Sequence, residues 1–373
     1  MATSPLRVLA LVTDAFGGHG GIAQYNRDFI SSLATCDGIR DVVVLPRIGE
    51  TSNTPAKVQQ LRPKRGRLAY SLSALHVALG KQIDVVFCGH LLMAPLGAAL
   101  AKLLGVPLWI QVHGIEAWDE LSRIHRWAIE RADIVTSVSR YTRQRLLQWV
   151  RIDPTCVKVL PNTVDPRFRP QPKLARLLER SGASGKKVLL TVSRLASSER
   201  YKGHDRVIRA LPRVLAQHQE TVYLVVGDGD DRSRLQAIAI QTGVSEHVHF
   251  AGLVGADDLP DHYRLADVFV MPSTGEGFGI AFLEAMASGV PVIGGNRDGS
   301  VDPLADGELG TAIDPDDEDQ LVAAICTALR GSADTSNRAV RFEAVNFKRH
   351  LEALVSSHFC DVPPAPTLRV GST

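Results

Sequence analysis

Hydrophobic residues in this chain fall into short unbroken runs, separated by stretches in which apolar positions recur every three or four residues. The runs at 6–13, 41–45, 83–88, 107–112 and 134–137 predict strands. The periodic segments 22–33, 91–104, 124–131 and 141–150 predict helices. Pro161, Pro166, Pro170 and Pro172 then interrupt the pattern. It restarts with strands at 187–192, 221–226, 248–251, 268–272 and 291–294, and helices at 204–217, 235–243, 259–266, 280–288 and 319–329. Strands that are apolar throughout, rather than alternating, imply parallel sheets covered on both faces. Two α/β halves joined by a proline-rich linker follow, with no sequence repeat relating them. Such halves bind ligands just beyond the carboxyl ends of their strands. The loops after the strands are therefore where the chemistry is to be sought.

Composition sets the bounds. The 373 residues are 45% hydrophobic and 22% charged, as expected of a globular protein of two or three domains. No apolar run approaches the roughly 18 residues of a spanning helix. The N-terminus runs straight into the first strand without a secretory pattern. Cys36, Cys88, Cys156, Cys326 and Cys360 are odd in number and lack CxxC spacing, which argues against a disulfide framework or structural zinc and for a cytoplasmic location.

Charge adds one feature. Residues 1–168 hold 20 Lys/Arg against 13 Asp/Glu, while the whole chain is only +2. No acid occurs between Glu50 and Asp84, a stretch carrying Lys57, Arg62, Lys64, Arg65, Arg67 and Lys81. Such a surface suits lipid headgroups, a phosphorylated acceptor or nucleic acid, or it is simply a solvated basic face. Residues 65–80 read as a helix with Leu68, Leu72, Leu75 and Leu79 on one face and the cations at its start. That arrangement suits peripheral membrane contact through residues 57–81. The competing reading buries the leucines in the core.

Two loops of the second half carry candidate chemistry. After the strand at 268–272, the chain turns through Gly275-Glu276-Gly277-Phe278-Gly279 and enters a helix at Ile280. Gly277 and Gly279 permit close backbone approach, and the N–H groups of the helix start form an anion site. Glu276 and Glu284 are carboxylates able to accept from the vicinal hydroxyls of a ribose or hexose. Glycine-rich turns also exist for tight packing alone, so the glycines by themselves leave both readings open. After the strand at 187–192 come Arg194 and then Glu199-Arg200-Tyr201-Lys202-Gly203. Two cations and a helix start can neutralise a pyrophosphate without a metal.

These blocks resemble the family-4 retaining glycosyltransferases, the group 1 proteins related to glycogen synthase and mannosyltransferases. The segment from Glu276 to Glu284 is similar to the Glu-x7-Glu signature of that family in its GFGxxxxE form. The resemblance implies that Glu276 contacts the donor hexose and Glu284 the nucleotide ribose. It gives Arg194 and Lys202 to the donor diphosphate, with Arg200 as a competitor for the arginine role. Gly227 and Asp228 resemble the nucleotide-side loop, Leu253 and Val254 the segment whose backbone meets the base, and Gly277, Phe278, Gly279 and Ile280 complete the donor site. In the first half, Gly20 and Gly21 resemble the glycine loop facing the sugar phosphates. The spacing there is not GxGxxG, which weighs against a dinucleotide enzyme.

By the same resemblance, His113 is an active-site residue together with Glu276, Arg194 and Lys202. His90 is a weaker candidate. Tyr25, Glu116, Trp118 and Arg140 fall on the acceptor side, and Ser139 and Asn162 shape the cleft. The chain departs from the family after Gly294-Gly295, where many members carry a Glu and this one reads Asn296-Arg297-Asp298.

The implied fold is α/β of the GT-B type, two Rossmann-like domains with parallel sheets facing across a cleft. Residues 1–165 form the acceptor-side domain and 166–345 the nucleotide-sugar domain. Residues 346–360 form a helix returning to the first domain, and 361–373 a flexible tail. The implied activity is metal-independent, retaining transfer of a hexose from a nucleotide-diphosphate sugar to a glycan or lipid-linked saccharide. No cofactor beyond that donor and no nucleic-acid partner is expected, and the location is cytoplasmic, peripheral at the membrane face. The alternatives are a sugar-nucleotide epimerase, a dehydrogenase and a non-catalytic nucleotide-sugar-binding protein.

Overall fold

A computed structural model describes residues 5–18, 20–50, 53–331 and 339–359. His19, Cys360 and the tail expected at 361–373 lie outside the described residues. The chain divides into two compact units: the described residues of Met1–Thr163 with those of Ala344–Thr373, and Val164–Glu343.

Unit 1 runs β1 (Leu6–Val12), α1 (Gly21–Ala34), β2 (Ile39–Pro46), β3 (Val58–Gln60), α2 (Arg67–Gly80), β4 (Val85–Cys88), α3 (Ala94–Leu104), β5 (Leu108–Val112), α4 (Arg123–Ile129), β6 (Ile134–Ser137), α5 (Arg140–Leu147) and β7 (Val157–Val159). Its strands form one parallel sheet in the order β3-β2-β1-β4-β5-β6-β7. The apolar runs explain the burial. Leu9, Leu11, Ile110 and Val112 are fully covered, and each buried Leu, Ile or Val contributes about 1.5–3 kcal/mol. Helix α3 stops at Gly105, whose φ of 67° is the left-handed turn that ends helices at glycine.

Unit 2 runs α6 (Ala175–Arg180), β8 (Lys187–Val192), α7 (His204–Leu215), β9 (Thr221–Val226), α8 (Arg232–Gln241), β10 (Val248–Gly252), α9 (Leu259–Leu265), β11 (Val268–Met271), α10 (Ile280–Ala287), β12 (Val292–Gly295), β13 (Thr311–Ile313) and α11 (Glu318–Arg330). Its parallel sheet is ordered β10-β9-β8-β11-β12-β13. The last helix, α12 (Ala344–Phe359), belongs to unit 1. It buries Phe347, Leu351, Val355 and Phe359, one residue every four. Phe347 meets the Tyr25 ring edge-on at 6.1 Å, and Phe359 packs on Trp109 at 5.5 Å.

Four elements go beyond the sequence reading: β3, β7, β13 and α6. The three strands are three residues long and lie at sheet edges, too short for a run to register as a strand. Helix α2 is present but starts at Arg67, because Gly66 at φ 87° takes the N-cap position. Its buried face is Tyr70, Ala74, Val77 and Ala78. The Tyr70 hydroxyl donates to the Leu45 carbonyl at 2.7 Å. Leu68 and Leu72 are 74% and 59% exposed and Leu79 is exposed too, while Leu75 packs on the core. Arg62, Lys64, Arg65 and Arg67 are all exposed. Core packing therefore accounts for one of the four leucines. No helix among the described residues is long and apolar enough to cross a membrane.

Candidate functional site

Each sheet has one place where the strand order reverses. In unit 2 the chain winds outward from β8 through β9 to β10, then returns to add β11, β12 and β13 on the other side. The loops after β8 and β11 diverge there, and such switch points are where open α/β sheets bind ligands. The loop after β8 supplies Arg194 and Lys202; the loop after β11 supplies Glu276.

These residues meet. Lys202 Nζ lies 2.5 Å from Glu276 Oε1 and 3.8 Å from Glu199 Oε2, and the Arg194 guanidinium bonds Glu199 Oε1. Burial pulls the Lys202 ammonium down, but Glu276, Tyr201 and Glu199 together outweigh it, leaving its pKa above the ordinary lysine value. The Tyr201 ring lies under the ammonium, 5.5 Å from nitrogen to centroid, and burial pushes its hydroxyl up to about 12. Gly275 is required there, since a Cβ would sit 2.6 Å from Tyr201 Cγ. Arg200 turns away, bonding Asp231 at 2.8 Å, so Arg194 is the arginine that joins the lysine cluster.

The Glu276 turn is held from beneath by Asp298. One carboxylate oxygen accepts the Glu276 N–H and the Ser273 hydroxyl, both at 2.7 Å, and the other accepts the Ser300 N–H at 2.9 Å. Burial raises the Asp298 pKa despite these bonds. The loop at 296–298, where the sequence departs from the pattern it resembles, thus supplies a brace for the Glu276 turn. Helix α10 opens at Gly279, with φ 91° and no side-chain cap. A Cβ on Gly279 would lie 2.6 Å from the Phe282 ring. Glu284 is buried on α10 and accepts the Tyr263 hydroxyl of α9 at 2.6 Å. Phe278, expected in the donor site, is buried against Phe342, so its side chain is packing and any donor contact runs through its main chain.

A hydrogen-bonded relay, buried beyond its Ser193 end, underlies the β8 loop. Ser193 Oγ lies 2.7 Å from His204 Nε2, and His204 Nδ1 lies 3.1 Å from the Tyr223 hydroxyl. Tyr223 in turn donates to Thr191 at 2.8 Å, and Thr191 to the Val270 carbonyl. One neutral imidazole completes this chain, and burial with nearby Lys202 holds His204 down to about 4.

The remaining expected nucleotide contacts occupy the ends of β9 and β10. Gly227 has φ 132° and donates its N–H to the Gly252 carbonyl at 2.9 Å, drawing the two strand ends together. Asp228 with Asp230 forms an Asp-x-Asp, a pattern usually read as metal-binding. Here Asp230 is spent on Ser197, through both N–H and hydroxyl, and Asp228 accepts the Gly229 N–H at 2.9 Å. Leu253 is strongly exposed, and with Val254 it lines a cavity of about 310 Å³ that also reaches His249 and His262.

Unit 1 has its own switch point, between β1 and β4. Helix α1 starts there at Gly21, with Gly20 at φ 92° and open space around it. His113, after β5, lies with Nε2 2.8 Å from the Gly89 carbonyl at the end of β4, and Glu116 accepts its backbone N–H at 2.5 Å. A carbonyl only accepts, so Nε2 carries the proton and Nδ1 is bare. Burial pushes His113 down to about 4, with Glu116 opposing and His90 reinforcing, so it acts as a neutral group. His90 accepts the Leu92 N–H at 3.1 Å and caps a helical turn.

Two residues expected on the acceptor side are buried within unit 1. Tyr25 is buried, stacks edge-on to His113 at 5.0 Å and donates to Gln111 at 2.8 Å. It supports the His113 ring from below. Trp118 is buried too, donating to Thr142 at 3.1 Å. Both have large apolar rings with one polar atom, which favours burial once that atom finds a partner. Arg140 is exposed at the start of α5, where Ser139 caps the helix by accepting the Thr142 N–H. Glu116 braces the His113 loop. The sequence reading missed Asp298, Glu199 and Tyr263.

Fold and site define a two-domain α/β protein of the GT-B type. The Anabaena protein HepE, solved with UDP-glucose, shares the fold with a TM-score of 0.78 at 20% identity, over 94% of this chain and 100% of that one. Sucrose-phosphate synthase from Thermosynechococcus elongatus does so with a TM-score of 0.74 at 20% identity, over 95% and 99%. The model described as glycosyl transferases group 1 matches residues 177–343, and that described as glycosyltransferase family 4 matches 19–168. The GDP-mannose-dependent alpha-(1-6)-phosphatidylinositol monomannoside mannosyltransferase of Mycolicibacterium smegmatis is 36% identical over 256 residues, 65% of this chain and 66% of that protein. The protein of the same description from Mycobacterium tuberculosis H37Rv is 30% identical over 347 residues, 87% and 89%. The chain belongs to the family 4, group 1 glycosyltransferases, and is a hexosyltransferase enzyme.

Proposed function

We propose that the protein transfers mannose from GDP-mannose to a lipid-linked saccharide, with retention of anomeric configuration and without a metal. The meeting of Arg194, Lys202 and Glu276 at the unit 2 switch point carries this reading. The donor sugar and base follow the two mannosyltransferase relatives. As the bond between the anomeric carbon and the diphosphate oxygen breaks, negative charge grows on the leaving group. Arg194, Lys202 and the start of α10 stabilise it, and fixed cations in this role replace a bound metal. Glu276, released from Lys202 as the diphosphate takes the ammonium, accepts from hexose hydroxyls and offsets positive charge at the anomeric carbon. The acceptor hydroxyl attacks from the leaving-group face, and its proton passes to the departing phosphate oxygen. Glu284 takes the ribose diol. His113 serves unit 1 as a neutral hydrogen-bonding group.

The exposed leucines of α2 and the four cations before and at its start support peripheral attachment to an anionic membrane. Each such cation contributes about 1 kcal/mol near an anionic leaflet. The test is turnover of GDP-mannose in mixed micelles with and without a mannosylated phosphoinositide acceptor, with the product anomer read by NMR and chelator added in a parallel assay. GDP release that needs acceptor, an α-linked product and indifference to chelator are expected. Conversion of the donor to an epimeric sugar nucleotide without acceptor, an inverted product, or loss of turnover in chelator would overturn the corresponding part.

A further inference from the structure

We infer that Glu199 is a positioning residue of the diphosphate site: its carboxylate anchors Arg194 and stands ready as a second partner for Lys202 when the donor separates Lys202 from Glu276. The inference rests on the proposed role of the two cations. Glu199 lies in the helical stretch Ser197–Lys202, where its own backbone, at φ −117° and ψ 27°, breaks the regular turn. Ser198 and Arg200 on either side are exposed, yet the Glu199 side chain is only 12% exposed. The kink thus turns one acid inward between two bases. The Arg194 side chain is 75% exposed, and among the described residues Glu199 is the carboxylate it meets. A long, exposed arginine without such an anchor samples many rotamers.

The second oxygen is the more informative. Glu199 Oε2 is buried, has no hydrogen-bond partner among the described residues, and lies 3.8 Å from Lys202 Nζ. A buried carboxylate oxygen left short of a donor is costly. A movement of the ammonium by about 1 Å brings it within hydrogen-bond range. The resting cluster therefore holds two cations and two carboxylates, alternating Arg194, Glu199, Lys202, Glu276. A diphosphate competes with both acids. When it draws Lys202 from Glu276, Glu199 keeps the mostly buried ammonium paired, so the exchange avoids an unpaired buried charge. This explains an acid placed where an anion must bind: it opposes ground-state affinity and orders the two donors that act as charge develops.

The experiment compares wild type with Glu199→Gln and Glu199→Asp by calorimetric binding of GDP and by kcat and KM for the donor, with thermal unfolding as the folding check. Glu199→Gln removes the competing charge, so GDP should bind about threefold tighter or more while kcat falls about tenfold. Glu199→Asp keeps the charge and shortens the reach, so GDP affinity should stay near wild type while kcat still falls. In an Arg194→Ala background, Glu199→Gln should lower kcat by a smaller factor than in wild type. Wild-type kcat in Glu199→Gln overturns the inference. So does a parallel loss of GDP affinity and kcat in both variants, which is the mark of loop packing. If wild type binds GDP but transfers no sugar, the proposed function fails while the affinity arm still judges Glu199.

Discussion

Lys202 Nζ and Glu276 Oε1 lie 2.5 Å apart, joining loops 74 residues apart in the chain. The cation proposed for the diphosphate and the carboxylate proposed for the hexose thus neutralise each other before any donor arrives. Both side chains are mostly buried, and Glu276 is the largest of the influences that keep the Lys202 pKa above the ordinary lysine value despite burial. Under the proposed roles, donor binding is an exchange of partners rather than the filling of a site of bare charges.

Lys202→Ala should leave a folded protein with kcat reduced about a hundred- to a thousandfold, the usual effect of losing one fixed donor to a developing charge. Circular dichroism establishes the fold and a coupled assay for released nucleoside diphosphate gives the rate. Turnover within tenfold of wild type would remove Lys202 from the clamp.

Glu284→Ala separates two roles of one carboxylate. Its Oε2 already accepts the Tyr263 hydroxyl. If it also takes the ribose diol, calorimetric affinity for bare GDP should fall by about 1.5–3 kcal/mol. If it serves only to hold α9 against α10, the thermal midpoint drops and affinity per folded molecule does not change.

The sequence made the scaffold legible and the contacts much less so. The strands at 134–137, 187–192 and 221–226 have the bounds that the apolar runs imply, because a buried parallel strand must be apolar along its whole length. Lys202 and Glu276 were each identifiable from a local block, but their pairing depends on β8 and β11 being sheet neighbours. Asp298 is not legible for the same reason: nothing local marks an aspartate that braces a turn 22 residues earlier. Tyr25 and Trp118 show the converse, since both are buried. Their positions near the β1 and β5 loops were legible, but the direction of a side chain on a helix or in a loop was not.

His204 should make stability depend on pH. Its folded pKa is depressed to about 4 from an ordinary 6.5, so the unfolded chain binds the proton more readily. The contribution is fully present above pH 6.5 and is lost as pH falls through that window towards 4. The change is on the order of 3 kcal/mol. Urea unfolding at pH 7.5 and 4.5 measures it. His204→Gln, which does not titrate, should lose less stability over the same interval than wild type; an equal loss would assign the effect elsewhere, with His113 the next group to test.

For α2, the expected result is co-sedimentation with liposomes that rises with anionic lipid and falls with salt. Neutralising Arg62, Lys64, Arg65 and Arg67 together should abolish it. Leu68→Ser with Leu72→Ser should weaken it at every salt concentration while leaving the thermal midpoint near wild type, since both side chains are exposed. Binding indifferent to lipid charge would point to a soluble acceptor.

The return of α12 to unit 1 has a consequence for how the chain is made. A ribosome releases Val164–Glu343 before it releases Ala344–Phe359, and the pocket beside Tyr25 and Trp109 waits for those last residues. The usual N-terminal-first order of domain maturation is therefore inverted: the half synthesised first is finished last. A nascent chain stalled short of Ala344 would carry a complete unit 2 and a unit 1 with its α12 seat open, a substrate for chaperones until α12 is made.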